Sequence, residues 1–311
     1  MKKMFKGFVF LAMFMILLAG CSTEPPGSSK EAKEASGTKS DAIKVGLSIS
    51  TLNNPFFVTL KEGAEEEAKA QGIDIVVVDA QNDSAKQVND IEDLLQQGVD
   101  VLLVNPTDSA AVVAAIESAN NADVPVITLD RSAEGGEVVS HIASDNTAGG
   151  KMAGEFILEQ IGNEGKVVEI EGIPGSSAAR ERGAGFHEAV DAVSTLEVAA
   201  KQTADFDRAK GLSVMENILQ GNKDIQAVFA HNDEMALGAL QAIEAAGLKD
   251  VVVVGFDATE DAVKAVEDGR MTATVAQKPA LIGQNGITAA IKVANGETVE
   301  EFIPIELELV K

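Results

Sequence analysis

From Ile43 to Val310 the chain alternates short, nearly unbroken apolar runs with amphipathic stretches of helical period. This alternation constrains the fold more than any other feature, because strand–helix–strand repeats close into parallel sheets covered by helices. The first series reads as strand Ile43–Ile49, helix Pro55–Gln71, strand Ile73–Val78, helix Ser84–Gln97, strand Val101–Val104, helix Ser109–Asn121 and strand Val126–Leu129. Strands of such uniform apolar character are those buried on both faces. In the first helix Phe57, Leu60, Ala64 and Ala68 share one stripe, and Gly72 stands where a helix closes. In the second, Val88, Ile91 and Leu95 point inward and Gly98 ends the helix.

A second series of the same kind begins at helix 146–161 and strand Lys166–Ile170. Helix Ala178–Val190, strand Leu196–Ala200, helix Asp207–Gln220, strand Ala227–Ala230, helix Asp233–Ala246 and strand Val251–Gly255 follow. Helix Thr259–Asp268, strand Thr272–Ala276, helix Leu281–Ala294 and a terminal strand Ile303–Val310 complete it. The expected fold is α/β, with two Rossmann-like lobes, a parallel sheet in each, and a cleft between them.

Open α/β sheets bind ligands beyond the carboxyl ends of their strands, and polar residues gather there. Asn54-Pro55-Phe56-Phe57 follows the first strand, Asn105 the third, and Asp130-Arg131 the fourth. In the second series Arg180 and Arg182, then Asp205-Phe206-Asp207, His231-Asn232-Asp233, Phe256-Asp257 and Gln277 hold the corresponding places. Taken singly, Asn54, Asn105 and Asp233 read equally well as helix caps, and the two phenylalanines as core. Taken together, they offer the chemistry of a neutral polyhydroxylated ligand. Carboxylates accept from hydroxyls, a guanidinium donates, amides do both, and phenylalanine faces pack on ring C–H groups. The chain contains no Trp and no Tyr, so aromatic contacts fall to its 12 Phe.

The first residues follow a different logic. Lys2, Lys3 and Lys6 precede an uncharged run from Gly7 to Gly20, shorter than the ~20 residues of a usual span. Charge, short apolar stretch and small residues make a secretory signal over residues 1–20. Leu18-Ala19-Gly20-Cys21 resembles the bacterial lipobox, which implies lipidation of Cys21. Cys21 is the chain's 1 cysteine, so no internal disulfide forms. Residues 21–42, rich in Ser, Glu, Lys, Gly and Pro, read as a flexible lipid-anchored tether. The globular part then sits on the extracytoplasmic face of the cell membrane.

Lys plus Arg number 25 against 49 Asp plus Glu, a formal charge of −24. A nucleic-acid partner needs a basic face, and this balance excludes a general phosphate-backbone binder. Enzyme readings lack their motifs. The sequence holds no Gly-rich dinucleotide fingerprint, no phosphate loop and no Gly-x-Ser-x-Gly elbow. His141, His187 and His231 lack metal-ligand spacing, so neither a metal nor a cofactor is expected.

The segments STLNNPFF, LLVNPTDS, VPVITLDR, EVVSHIASDN, SAARERG, ADFDR, NDEMALGAL, VVVGFD and ATVAQ resemble the D-ribose-binding family of bacterial ABC transporters, with the type I periplasmic binding protein fold. The resemblance covers Ile43 to Val310 and implies a monomeric, non-enzymatic protein. Such a protein captures D-ribose and delivers it to the permease membrane subunits; a chemoreceptor is a further partner in parts of the family. Carried over position by position, the implied sugar contacts are Asn54, Phe56, Phe57, Asn105, Asp130, Arg131, Arg182, Phe206, Asn232, Phe256, Asp257 and Gln277. The resemblance also implies crossovers near Ser144, Gln277 and Glu306, hence lobes of 43–144 plus 278–306 and 145–277 plus 307–311. The chain departs from the family pattern by an extra residue around Ala192–Leu196 and by His231. Two alternatives share the fold. A LacI-type effector domain would need a helix-turn-helix before Ile43, where the lipobox and tether stand. A binder of a related sugar such as D-allose stays open.

Overall fold

The computed structural model of the protein describes residues 43–311; the segments read as a signal peptide (1–20) and a tether (21–42), with Cys21, lie outside the described residues. The first sheet contains β1 (Lys44–Ile49), β2 (Asp74–Asp79), β3 (Val101–Val104), β4 (Val126–Leu129), β5 (Ser140–Ser144) and β11 (Phe302–Ile305). The second contains β6 (Gly165–Glu171), β7 (Leu196–Thr203), β8 (Ala227–Ala230), β9 (Val252–Asp257), β10 (Ala273–Ala276) and β12 (Glu308–Val310). Their orders are β11-β5-β4-β3-β1-β2 and β12-β10-β9-β8-β6-β7. Strand order reverses between β1 and β3 in one sheet and between β6 and β8 in the other. Those are the switch points at which such sheets bind ligands.

Helices α1 (Pro55–Gln71), α2 (Ser84–Gln96) and α3 (Val113–Asn121) cover the first sheet, joined from far along the chain by α9 (Pro279–Ala294). The second carries α4 (Asn146–Ile161), α5 (Ser177–Val190), α6 (Arg208–Gly221), α7 (Asp233–Ala245) and α8 (Glu260–Glu267). Apolar side chains fill both faces of each sheet. Leu47, Ile49, Leu103, Ile127 and Ile282 are fully buried on one face of the first, and Ile91, Leu102, Val104 and Ile116 on the other. The chain passes between the sheets three times, after β5, after β10 and between β11 and β12. These passages form the hinge.

One helix contact bears directly on the site. A Cβ at Gly150 of α4 would overlap the Arg182 carbonyl, and one at Gly185 of α5 would overlap the Thr147 carbonyl. The two glycines let α4 and α5 touch backbone to backbone, which sets the depth of Arg182.

Three elements differ from the sequence reading. Helix α3 starts at Val113 rather than Ser109. Asp108 Oδ1 accepts from the Ala110 and Ala111 N–H groups at 2.9 and 2.8 Å, turning the chain, and Ser109 N–H bonds Gly175 O at 2.9 Å instead of joining a helix. The terminal strand Ile303–Val310 is two strands. β11 lies parallel to β5 in the first sheet, and β12 lies antiparallel to β10 in the second, so the second sheet is not wholly parallel. β5 pairs between β4 and β11 although its sequence, SHIAS, carries little apolar signal.

Candidate functional site

The site residues are placed by strand ends and helix starts, with Arg182 in the second turn of α5. Asn54 caps α1, its Oδ1 accepting from Phe56 N–H at 2.9 Å, and Pro55 supplies the preset first turn. Phe56 and Phe57 follow edge to face, with ring centroids 5.1 Å apart, both packed into the first-lobe core. After β4, Asp130 takes a left-handed φ of 64° and Arg131 turns inward, donating from a terminal nitrogen to Pro106 O at 3.1 Å.

From the second lobe, the Arg182 guanidinium donates to Asn146 Oδ1 at 2.8 Å and His231 O at 2.6 Å. It lies 3.6 Å from Asp257 Oδ1 and stacks 3.8 Å over the Phe256 ring. Phe206 has φ 61°, and its ring rests on Gly172, where a Cβ would overlap it. Asn232 caps α7, accepting from Met235 N–H at 3.0 Å, and donates to Phe206 O at 3.3 Å. Asp257, with φ 117°, accepts from Gln277 Nε2 at 2.9 Å. Non-glycine residues in the left-handed region cost about 1–3 kcal/mol each. Asp130, Phe206 and Asp257 all sit there and all face one cavity.

That cavity lies between the two sheets. Ten of the twelve sequence-derived positions line it: Asn54, Phe56, Phe57, Asp130, Arg131, Arg182, Phe206, Asn232, Asp257 and Gln277. The remaining two stand behind it. Asn105 is fully buried, its Oδ1 accepting from Ser50 N–H at 3.2 Å and its Nδ2 donating to Leu129 O at 3.0 Å and Asp130 Oδ2 at 3.4 Å. It stitches the ends of β1, β3 and β4 together. Phe256, equally buried, forms the floor under Arg182. Ala178, which no sequence signal marked, completes the lining.

The lobes touch around the cavity. Ser132 N–H donates to Ser177 Oγ at 2.9 Å, Ser177 N–H to Ser109 Oγ at 3.2 Å, and Arg180 pairs with Glu134 at 2.8 Å. The Arg131 guanidinium lies 5.0 Å from the Phe57 ring centre and 5.1 Å from that of Phe206, bridging the two halves. This is a closed arrangement.

Burial dominates the electrostatics. It pushes the Asp130 carboxyl up, against the opposing pull of Arg131 and Arg182 and the Asn105 bond. It pushes Asp257 well above the usual range, against Arg182. Burial lowers Arg131 to about 10, still charged at neutral pH. Two carboxyl and two guanidinium groups thus face one space, an array of acceptors and donors that matches the hydroxyls of a neutral polyhydroxylated ligand. Asp130 Oδ1, Arg131 Nε and Gln277 Oε1 are buried at its wall without a hydrogen-bond partner in the protein. Buried polar atoms in proteins are nearly always paired; the other buried side-chain atoms without a partner among the described residues are the hydroxyls of Ser50, Thr107, Ser144 and Ser176. An acceptor, a donor and a further acceptor thus converge on one small space.

Behind the second-lobe wall lies a network the sequence did not announce. His231 Nε2 and Glu169 Oε1 are 3.0 Å apart, both fully buried, and His187 Nε2 meets Glu169 Oε2 at 2.9 Å. Burial alone would raise Glu169; the His231 bond and the His231, Lys201 and His187 charges outweigh it and hold the carboxyl low. Burial lowers His231 despite Glu169. Because Gly172 N–H points at His231 Nδ1 from 3.4 Å, the ring's proton is assigned to Nε2.

Two sheets with a hinge and a polar, aromatic-walled cavity between them define a two-lobe solute-binding architecture. The periplasmic binding protein domain model matches residues 45–298, and the chain belongs to that family. The family implies a place outside the cytoplasm, and its relatives here are substrate-binding transport proteins. Among those relatives is the ribose import binding protein RbsB of Bacillus subtilis, 55% identical over 305 residues, covering 97% of this chain and 98% of that protein. RbsB of Escherichia coli is 56% identical over 266 residues, 86% of this chain and 90% of its own. Among solved structures, the myo-inositol binding protein of Caulobacter with bound myo-inositol superposes with a TM-score of 0.83 at 34% identity, covering 86% of this chain and 93% of that one.

Proposed function

We propose that the protein captures D-ribose between its two lobes and presents the closed complex to the membrane subunits of an ABC transporter. The moving bodies are 43–144 plus 278–306 and 145–277 plus 307–311, and lipidation of Cys21 tethers them to the membrane. One observation carries the reading. Asp130 Oδ1, Arg131 Nε and Gln277 Oε1 lack a hydrogen-bond partner in the protein, Arg131 Nε standing 3.7 Å from Asp130 Oδ2, around a cavity faced by Phe56, Phe57 and Phe206. Sugar hydroxyls satisfy such atoms, and the ring C–H groups pack on the aromatic faces.

The D-allose-binding periplasmic protein of Escherichia coli is 36% identical to this chain, against 55% for RbsB of Bacillus subtilis, which favours the pentose. Calorimetric titration with ribose, allose, xylose and galactose tests it. Tight one-to-one binding of ribose supports the reading, whereas no ribose heat with tight binding of another sugar overturns it.

A further inference from the structure

Asp233 is fully buried, carries a carboxyl group and does not line the cavity. It stands at the first position of α7, directly after the cavity residue Asn232. Its two oxygens are committed to a neighbouring turn. Oδ1 accepts from the Thr274 hydroxyl at 2.7 Å, and Oδ2 accepts from Thr259 N–H at 2.7 Å and the Thr259 hydroxyl at 3.2 Å. Thr274 Oγ1 in turn accepts from Ala258 N–H at 3.2 Å. A Cβ at Gly255 would overlap Asp233 Oδ1, so the glycine in β9 makes room for the carboxyl.

The turn held in this way is Asp257-Ala258-Thr259. Asp257 has φ 117° and Ala258 φ 55°, two consecutive non-glycine residues in the left-handed region. Such a backbone persists only where its surroundings over-determine it. Both amides that follow Asp257 are tied to the same pair of side chains, Asp233 from α7 and Thr274 from β10.

We propose that Asp233 and Thr274 form a positioning clamp that holds the strained 257–258 backbone and so aims the Asp257 carboxylate into the sugar cavity. The proposal rests on the sugar-binding reading above, with Asp257 as a ligand contact. Neither clamp residue touches the sugar. Both act through Asp257, and the Thr274 hydroxyl is the link that donates to one side and accepts from the other.

The test compares Thr274→Val, which keeps shape and loses the hydroxyl, with Thr274→Ser, which keeps the hydroxyl. Ribose affinity is measured by calorimetry at 20 °C, and amide hydrogen exchange at Ala258 and Thr259 is followed without sugar. The clamp predicts at least a tenfold loss of affinity and faster Ala258 exchange in Thr274→Val, with Thr274→Ser within threefold of the parent on both counts. A purely structural role lowers the melting temperature and leaves the affinity of the folded protein unchanged; that result overturns the proposal. Equal losses in both variants also overturn it. If Thr274→Val does not fold, Asp233→Asn, which replaces one acceptor oxygen with a donor, is read by the same criteria. A parent that binds no ribose refutes the sugar assignment instead, and the exchange measurement still decides the clamp.

Discussion

Replacing Phe206 with alanine removes the second-lobe wall of the cavity, together with the ring's share of the second-lobe core. The ring is 9% exposed, rests on Gly172, and faces the Arg131 and Arg182 guanidinium carbons at 5.1 and 6.0 Å from its centre. A phenylalanine buries about 150–250 Å², and one face is roughly a quarter of that, or about 40–60 Å² given to the ligand. At about 25 cal/mol per Å² this contact contributes about 1–1.5 kcal/mol. Each cation–ring contact adds about 0.5–1 kcal/mol to holding a guanidinium in place before the sugar arrives. The sum is about 2–3.5 kcal/mol, or roughly a 30- to 300-fold weaker dissociation constant. Calorimetric titration of Phe206→Ala with ribose measures this directly. The melting temperature without sugar serves as the control, and the rise on adding sugar shrinks by linkage. Affinity within threefold of the parent, in a variant that folds, would refute the assignment of the ring as a binding surface.

Two further outcomes follow from the same geometry. A Cβ at Gly175 overlaps Asp108 Oδ2 of the opposite lobe, so Gly175→Ala forces the lobes apart or breaks the Asp108 turn. Losing such a cap costs about 1 kcal/mol, so affinity falls roughly fivefold while the sugar-free melting temperature holds; unchanged affinity contradicts the closed contact. For Asp233, burial raises the carboxyl from 3.8 to about 7, against its bonds to Thr274 and Thr259 and helped by the Glu234 charge. The native state therefore binds more protons than the unfolded chain between about pH 4 and 7, and this group's contribution to stability falls as pH rises through that window. Asp233→Asn removes this group's share, while Asp130 and Asp257, also raised by burial, keep a dependence of the same sign. Denaturant melts at pH 4.5, 6 and 7.5 should move the stability difference in the variant's favour as pH rises, and a constant difference contradicts the assignment.

The parts of the fold legible in the sequence are those where one physical rule dominates. Val101–Val104 and Ala227–Ala230 are buried strands with uniform apolar character, and they fall at the residues expected. Asn54, with Pro55 behind it, marks the start of α1 to the residue. β5 was not legible, because Ser140, His141 and Ser144 are held by β4 and β11 rather than by their own apolar pattern. The break between β11 and β12 arises because the chain changes sheet, which local propensity does not encode.

The site divides along similar lines. Strand-end position brought the polar residues to one end of each sheet, but it does not say which side chains reach the cavity. Asn105 and Phe256 share the positions of ligand-facing residues and point their groups into the protein instead. Asp233 read as a cap; its tertiary bonds to Thr259 and Thr274 join residues 26 and 41 positions away. Glu169 and His231, 62 residues apart, pair only because β6 and β8 are neighbours.

The most direct measurement of the central claim is the structure of the protein crystallised with ribose. One sugar is expected between Phe57 and Phe206, with hydroxyls within about 3.2 Å of Asp130 Oδ1, Arg131 Nε and Gln277 Oε1. A sugar bound elsewhere, or one in this cavity that leaves those three atoms unpaired, would contradict it.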